Sequence, residues 1–139
     1  KKLQQKYPSL VVYIPSCRSA FDEIFKKAYR KYQVKGFVIS QKDSAKLKPY
    51  IYSLTKIAFC KSGTVNMELA LYGIPQIVGY RVSRVTAFID KKILNFKVKF
   101  ISPVNLLVNK CIIPAIVQRE FEEKNIFYKS CRILDGNIE

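Results

Sequence analysis

Three short features near the middle of the chain carry residue types suited to holding a phosphorylated ligand. The first is the small-residue turn Ser62-Gly63-Thr64. Its glycine lets backbone come close to a ligand, the amides opening a following helix attract phosphate, and the two hydroxyls add hydrogen bonds. The same residues also make an ordinary strand-to-helix turn capped by Ser62 or Thr64. Neither GxGxxG nor GxxxxGK[ST] is present to decide between the two. The second feature is Glu68, one helical turn after Thr64 and the only charge in VNMELALYG. A carboxylate there is favoured by the helix dipole and can accept hydrogen bonds from a ribose diol; it serves equally as a solvent-facing acid in the first turn. The third is Tyr80-Arg81, after a short apolar run. An arginine in that place grips phosphate with its planar fork, or pairs with an acid at the surface. Further on, Asn105 stands in ISPVNLLV and needs hydrogen-bond partners if buried. Gln118 and Glu120 precede a final helix, where plain capping is their simplest role.

An alternation of strands and helices supplies elements to position these residues. LVVYIP (10–15) reads as a buried strand. Ser19 then caps a helix with Phe21, Ile24, Phe25, Ala28 and Tyr32 on one face and Lys26, Lys27, Arg30 and Lys31 on the other. GFVIS (36–40) is a second strand, and Pro49 limits any helix over 44–54 to a short or broken one. IAFCK (57–61) is a third strand. Val65, Leu69 and Tyr72 recur at helical spacing after it, with Gly73 ending that helix and Pro75 preventing its continuation. QIVGY (76–80) is a fourth strand, and Val85, Phe88, Ile89 and Ile93 mark another helix. The pattern from Asn95 to Pro114 is irregular, and a last helix runs from about Glu120 to Leu134. This spacing means βαβ units: an α/β, Rossmann-like parallel sheet with helices on both faces. Such sheets bind ligands beyond the carboxyl ends of their strands, where both the SGT turn and Tyr80-Arg81 fall. No internal repeat or low-complexity linker interrupts the chain.

Composition narrows the classes. The 139 residues suffice for one compact domain, and 49% apolar with 25% charged residues argues against disorder. The longest apolar runs, LVVYI and CIIPAIV, are too short to span a bilayer, and no stretch has the layout of a secretory signal. KKLQQKYP reads like the tail of a helix, so the chain is expected to begin mid-fold, as a fragment. A net charge of +15 points to an anionic partner (nucleic acid, anionic lipid or a phosphorylated ligand) or to a lysine-rich solvated surface. The basic residues stand in ones and twos, which weakens the nucleic-acid reading and leaves a peripheral membrane contact open. Cys17, Cys60, Cys111 and Cys131 lie 43, 51 and 20 residues apart, and there is no histidine. A zinc site and a disulfide framework are both disfavoured, and reduced core cysteines are the expectation. Without histidine, a Ser-His or Cys-His nucleophile within this chain is excluded.

Read in order, the singled-out residues resemble the C-terminal, nucleotide-sugar-binding half of lipid-A-disaccharide synthases. The series is Ser62-Gly63-Thr64, Glu68, Pro75, Tyr80-Arg81, Ser102 with Asn105-Leu106, and Gln118, carried by SGTVNMELALYGIPQIVGYRVSRVTAFIDKKIL and FISPVNLLVNKCIIPAIVQREF. The resemblance spans roughly residues 55 to 126 and extends weakly back through LVVYIP. It implies the C-terminal domain of a glycosyltransferase-B fold, with residues 1–139 as a single partial donor-binding domain whose stretch 120–139 starts the C-terminal helical segment. It implies inverting transfer of a diacylated glucosamine from its UDP-activated form to diacylglucosamine 1-phosphate, releasing UDP. On the same ground Ser62, Gly63, Thr64 and Glu68 contact the UDP-sugar donor, and Tyr80, Arg81, Asn105 and Gln118 are candidate cleft contacts. No metal or other cofactor is expected.

The family's catalytic acid belongs to an N-terminal domain that this chain lacks, so no catalytic residue is assigned here and the chain alone is expected to be inactive. The family's glycine-rich N-terminal loop is absent, and Pro114-Ala115 stands where many relatives carry Pro-Glu. Peripheral contact with an anionic membrane at the cytoplasmic face of the inner membrane, or in an organelle of a eukaryote, follows from the resemblance, with a homodimer as one expectation for the full-length form. The competing readings are the donor domain of another UDP-sugar glycosyltransferase or epimerase, a non-catalytic basic module binding nucleic acid, and a degenerate domain that keeps only the fold.

Overall fold

Strands pair in parallel throughout the described residues, as the βαβ spacing predicts. The computed structural model describes residues 1–80, 100–117 and 120–137. The helix expected over Val85 to Ile93 lies outside them, as do Arg81 and Gln118. The chain forms two units, Lys1–Thr55 and Lys56–Glu139. Each is α/β, with an open parallel sheet of the Rossmann-like kind.

The first unit contains α1 (Lys2–Lys6), β1 (Val12–Pro15), a 3-10 turn (Ser19–Phe21), α2 (Asp22–Tyr32), β2 (Gly36–Ile39) and α3 (Gln41–Leu54). Ser19 opens the 3-10 turn rather than capping α2, whose N-cap is Phe21. β1 and β2 pair from Val12 with Gly36 to Pro15 with Ile39. Gly36 is demanded by that closeness: a Cβ there would collide with the Val12 carbonyl and stand 2.5 Å from the Tyr29 ring. The Tyr29 hydroxyl donates to Val12 O at 2.8 Å, and burial pushes its pKa up to about 12.

The expectation of a short or broken helix around Pro49 is overturned, because α3 runs unbroken for 14 residues. Its start is well made. The Asp43 amide donates to Ser40 Oγ, and the Ser40 hydroxyl donates to the Asp43 carboxylate at 2.7 Å. Capping of about 1 kcal/mol and burial of Ile51, worth roughly 1.5–3 kcal/mol, together offset an interior proline of roughly 3 kcal/mol.

The second unit contains β3 (Ala58–Lys61), α4 (Thr64–Leu71), β4 (Gln76–Tyr80), α5 (Pro103–Leu107), β5 (Ala115–Val117) and α6 (Glu123–Leu134). The sheet order is β3-β4-β5, so β4 is central. Val78 and Ile116 are fully buried and Ile77 is 2% exposed, the dense middle of this unit. Gly73 ends α4 as expected, in the left-handed region at φ 65. The inward face of α4 differs from the apolar spacing: Leu69 is buried, but Val65 and Tyr72 are exposed and Asn66 takes the buried place. α5 and β5 were not legible as regular elements. α5 is nucleated by Ser102 as N-cap and Pro103 at its first turn, while β5 has only three residues to show a pattern.

Candidate functional site

Because β3, β4 and β5 run parallel, their carboxyl ends share one edge of the sheet. Lys61 closes β3 at that edge, and Ser62-Gly63-Thr64 leads straight into α4. Tyr80 closes β4 and pairs in register with Val117, the last residue of β5. The structure therefore brings the SGT turn and Tyr80 to one place. Arg81 and Gln118, which follow Tyr80 and Val117 in sequence, are outside the described residues.

The turn is built differently from a side-chain-capped helix start. Gly63 is the N-cap, at φ 151 and ψ −165, with open space where a Cβ would stand. Side chains rarely adopt that φ, so glycine is the fitting residue. No side chain caps α4, and the Ser62 hydroxyl instead donates to Ile101 O at 2.6 Å. Thr64 is exposed on the first turn, and Glu68 is half-buried four residues on, along the same side of the helix. An anion placed here would meet a helix N-terminus, a glycine that admits close approach, and the Thr64 hydroxyl; the Ser62 hydroxyl is committed to Ile101 O rather than to a ligand.

Behind the turn lies a chain of buried polar side chains. Asn66 Nδ2 donates to Gln76 Oε1 at 2.7 Å, and Gln76 Nε2 donates back to Asn66 O at 3.0 Å. The Ser102 hydroxyl donates to Asn66 Oδ1 at 2.8 Å. Ser102 Oγ in turn accepts from the Asn105 amide as the N-cap of α5. Asn105, 1% exposed, accepts from the Ile112 and Ile113 amides and donates to Ile113 O at 2.8 Å. Its carboxamide thus ties α5 to the segment entering β5. Asn66 and Gln76 were missed as site residues; their signal was two amides ten apart inside otherwise apolar stretches.

Cys60 joins the same chain, its thiol donating to Gln76 Oε1 at 3.2 Å. Burial pushes its pKa up to about 11, which keeps it a neutral thiol near pH 7. All four cysteines are free, but the expectation of core cysteines is corrected for two: Cys17 and Cys111 are exposed, each in a loop between elements. The expectation of a buried strand over LVVYIP is corrected too, since Val12, Tyr13 and Pro15 of β1 are exposed.

Each unit has a hollow among its described residues that lies apart from the turn residues. In the first unit, a hollow of about 220 Å3 is lined by Tyr13, Phe37, Leu47, Tyr50 and Leu54. The other, about 390 Å3, is at the amino edge of the second sheet beside Gln76, Pro114, Ile112, Lys129 and Arg132. Among the described residues no group of three or more His, Cys, Asp or Glu is placed to hold a metal ion. No helix among them is long and apolar enough to cross a membrane.

Comparison with known proteins agrees with the family resemblance. The profile of the lipid-A-disaccharide synthetase family matches residues 1–137. A lipid-A-disaccharide synthase of Prochlorococcus marinus (strain MIT 9313) is 41% identical over 133 residues, 96% of this chain and 34% of that protein. One from Gloeothece citriformis (strain PCC 7424) is 32% identical over 96% of this chain and 34% of its own length. One from Vibrio vulnificus (strain YJ016) is 30% identical over 99% of this chain and 35% of its own. The chain spans about a third of the length of the curated relatives it matches.

Proposed function

The chain belongs to the lipid-A-disaccharide synthetase family, and from that premise we propose that its second unit forms the UDP-sugar wall of an inverting glycosyltransferase. The full enzyme transfers 2,3-diacylglucosamine from its UDP-activated form to 2,3-diacylglucosamine 1-phosphate, giving lipid A disaccharide and UDP. The observation that carries this reading is the meeting of Ser62-Gly63-Thr64 and Tyr80 at the carboxyl edge of one parallel sheet, where α/β folds bind nucleotides. Residues 1–139 serve as a partial donor-binding domain, with 120–139 beginning the C-terminal helical segment.

The Ser62 hydroxyl fastens the turn to Ile101 O, and the other singled-out residues have chemical tasks in this proposal. The helix start at Gly63 and Thr64 faces the diphosphate, whose negative charge grows as the glycosidic bond of the donor breaks. Glu68 accepts hydrogen bonds from a diol of the donor. Arg81 meets the charged groups with its fork, and Tyr80 and Gln118 complete the cleft. Asn105 acts by positioning, since its carboxamide is bonded inward. Deprotonating the acceptor hydroxyl falls to a carboxylate of the acceptor-binding half, so the 139 residues alone bind the donor without turning it over. Peripheral contact with anionic headgroups at the cytoplasmic face of the inner membrane fits the charge of +15, and a homodimeric full-length form belongs to the same proposal.

The test is a melting curve with and without UDP. Saturation at about 100 times Kd adds roughly 2.7 kcal/mol and raises Tm by several degrees. An unmoved curve in millimolar UDP, together with tight salt-sensitive RNA binding, would replace this reading with the basic nucleic-acid module.

A further inference from the structure

The SGT turn is fastened on both sides of its glycine, and the two fastenings reach adjacent residues. Before Gly63, the Ser62 hydroxyl donates to Ile101 O at 2.6 Å. After it, Asn66 accepts from the Ser102 hydroxyl at 2.8 Å. Asn66 is also held from β4, through Nδ2 to Gln76 Oε1 at 2.7 Å and through its carbonyl to Gln76 Nε2 at 3.0 Å. Asn66, Gln76 and Ser102 are 0%, 3% and 0% exposed, so these bonds form away from competing water. Between the fastenings lie only Gly63, Thr64 and Val65. Gly63 has no side chain to limit it and nothing near its missing Cβ. Left to itself, such a turn would sample many backbone angles. Its direction is decided by what grips either end.

We propose that Asn66, braced by Gln76 and Ser102, is a positioning residue for donor binding: it sets the aim of the first-turn amides of α4 at the carboxyl edge of the sheet. The inference rests on the donor-site reading above. It differs from a core-packing role in one respect. A network that only stabilises the core changes Tm, whereas one that aims the turn also changes the ligand affinity of fully folded protein. Binding through several amides at once is sensitive to displacements of about 1 Å.

The experiment measures UDP affinity by titration calorimetry on the full chain, well below each variant's own Tm, with the Gly63 amide resonance followed by NMR without ligand. Asn66→Ala removes both side-chain bonds, and Ser102→Ala removes the donor to Asn66 Oδ1. Ser102→Thr keeps that hydroxyl and the cap of α5. Expected are a Kd raised about tenfold for both alanine variants, a Kd within about threefold for Ser102→Thr, and a displaced Gly63 amide in the alanine variants alone. A lowered Tm with unchanged Kd and an unmoved Gly63 amide would overturn the proposal and leave a core role only. If the wild type itself takes up no UDP, the donor-site reading fails, and the Gly63 amide then decides the brace: displaced in Asn66→Ala it stands, unmoved it falls.

Discussion

The two units of this chain reach order by different means. Within Lys1–Thr55 the buried hydrophobic residues are Ile39 and Ile51, and Phe37 and Tyr50 remain 62% and 66% exposed. That unit relies on close local fits: Gly36 under the Val12 carbonyl, the Tyr29 hydroxyl on Val12 O, and the Ser40–Asp43 cap. In Lys56–Glu139, Val78 and Ile116 are fully buried at the middle of a three-stranded sheet, and Asn66, Ser102 and Asn105 bond beside them. Twelve of the 25 basic residues but only three of the 10 acidic ones fall in residues 1–55, so the thinner unit also has more self-repulsion. The Ser62-Gly63-Thr64 turn, proposed to face the donor, belongs to the more densely packed unit. A binding edge needs its groups held before the ligand arrives, and rigid elements with bonded supports do that better than loops.

The largest expected effect sharpens this contrast directly. Ile116→Ala should cost roughly 2–5 kcal/mol, as removal of a fully buried side chain does, while Ile39→Ala, at 8% exposure in the thinner unit, should cost clearly less. Denaturant unfolding measures both, and equal costs would mean that the thin unit is as tightly packed as the dense one. Next comes a gain: Pro49→Ala should slow amide exchange in α3 and stabilise the first unit by up to about 3 kcal/mol. No gain would show that the helix has already relaxed around the proline. The smallest effect is a pH dependence in the second unit. The Cys60 pKa is raised from 9.0 to about 11, so the folded state keeps that proton longer than the unfolded chain. Its contribution is therefore full below about pH 9 and is lost as pH rises through about 11. Stability measured across that window should fall more steeply for wild type than for Cys60→Ala, and parallel curves would refute the buried-thiol account.

Much of the frame was readable in advance. LVVYIP, GFVIS, IAFCK and QIVGY are β1 to β4 within two residues, since short apolar runs bounded by turn residues have few other solutions. α3 was misread because proline is a local penalty, while the burial of Ile51 that opposes it is a tertiary gain. β5 was missed for a related reason: three residues form a strand only because β4 is there to pair with.

The same division runs through the site. Residue order alone determined the α/β alternation, the place of Ser62-Gly63-Thr64 between a strand and a helix, and the family, because these depend on local spacing and on motifs kept in register along the chain. Tertiary structure alone decided that β4 lies between β3 and β5 with Tyr80 in register with Val117, that Asn66 faces inward while Val65 does not, and that Ser62 bonds Ile101 rather than capping α4. Those outcomes depend on which groups meet across the fold: Ser62 and Ile101 are 39 positions apart and Asn66 and Ser102 are 36, and a hydrogen bond at 2.6 or 2.8 Å has no signature in local periodicity.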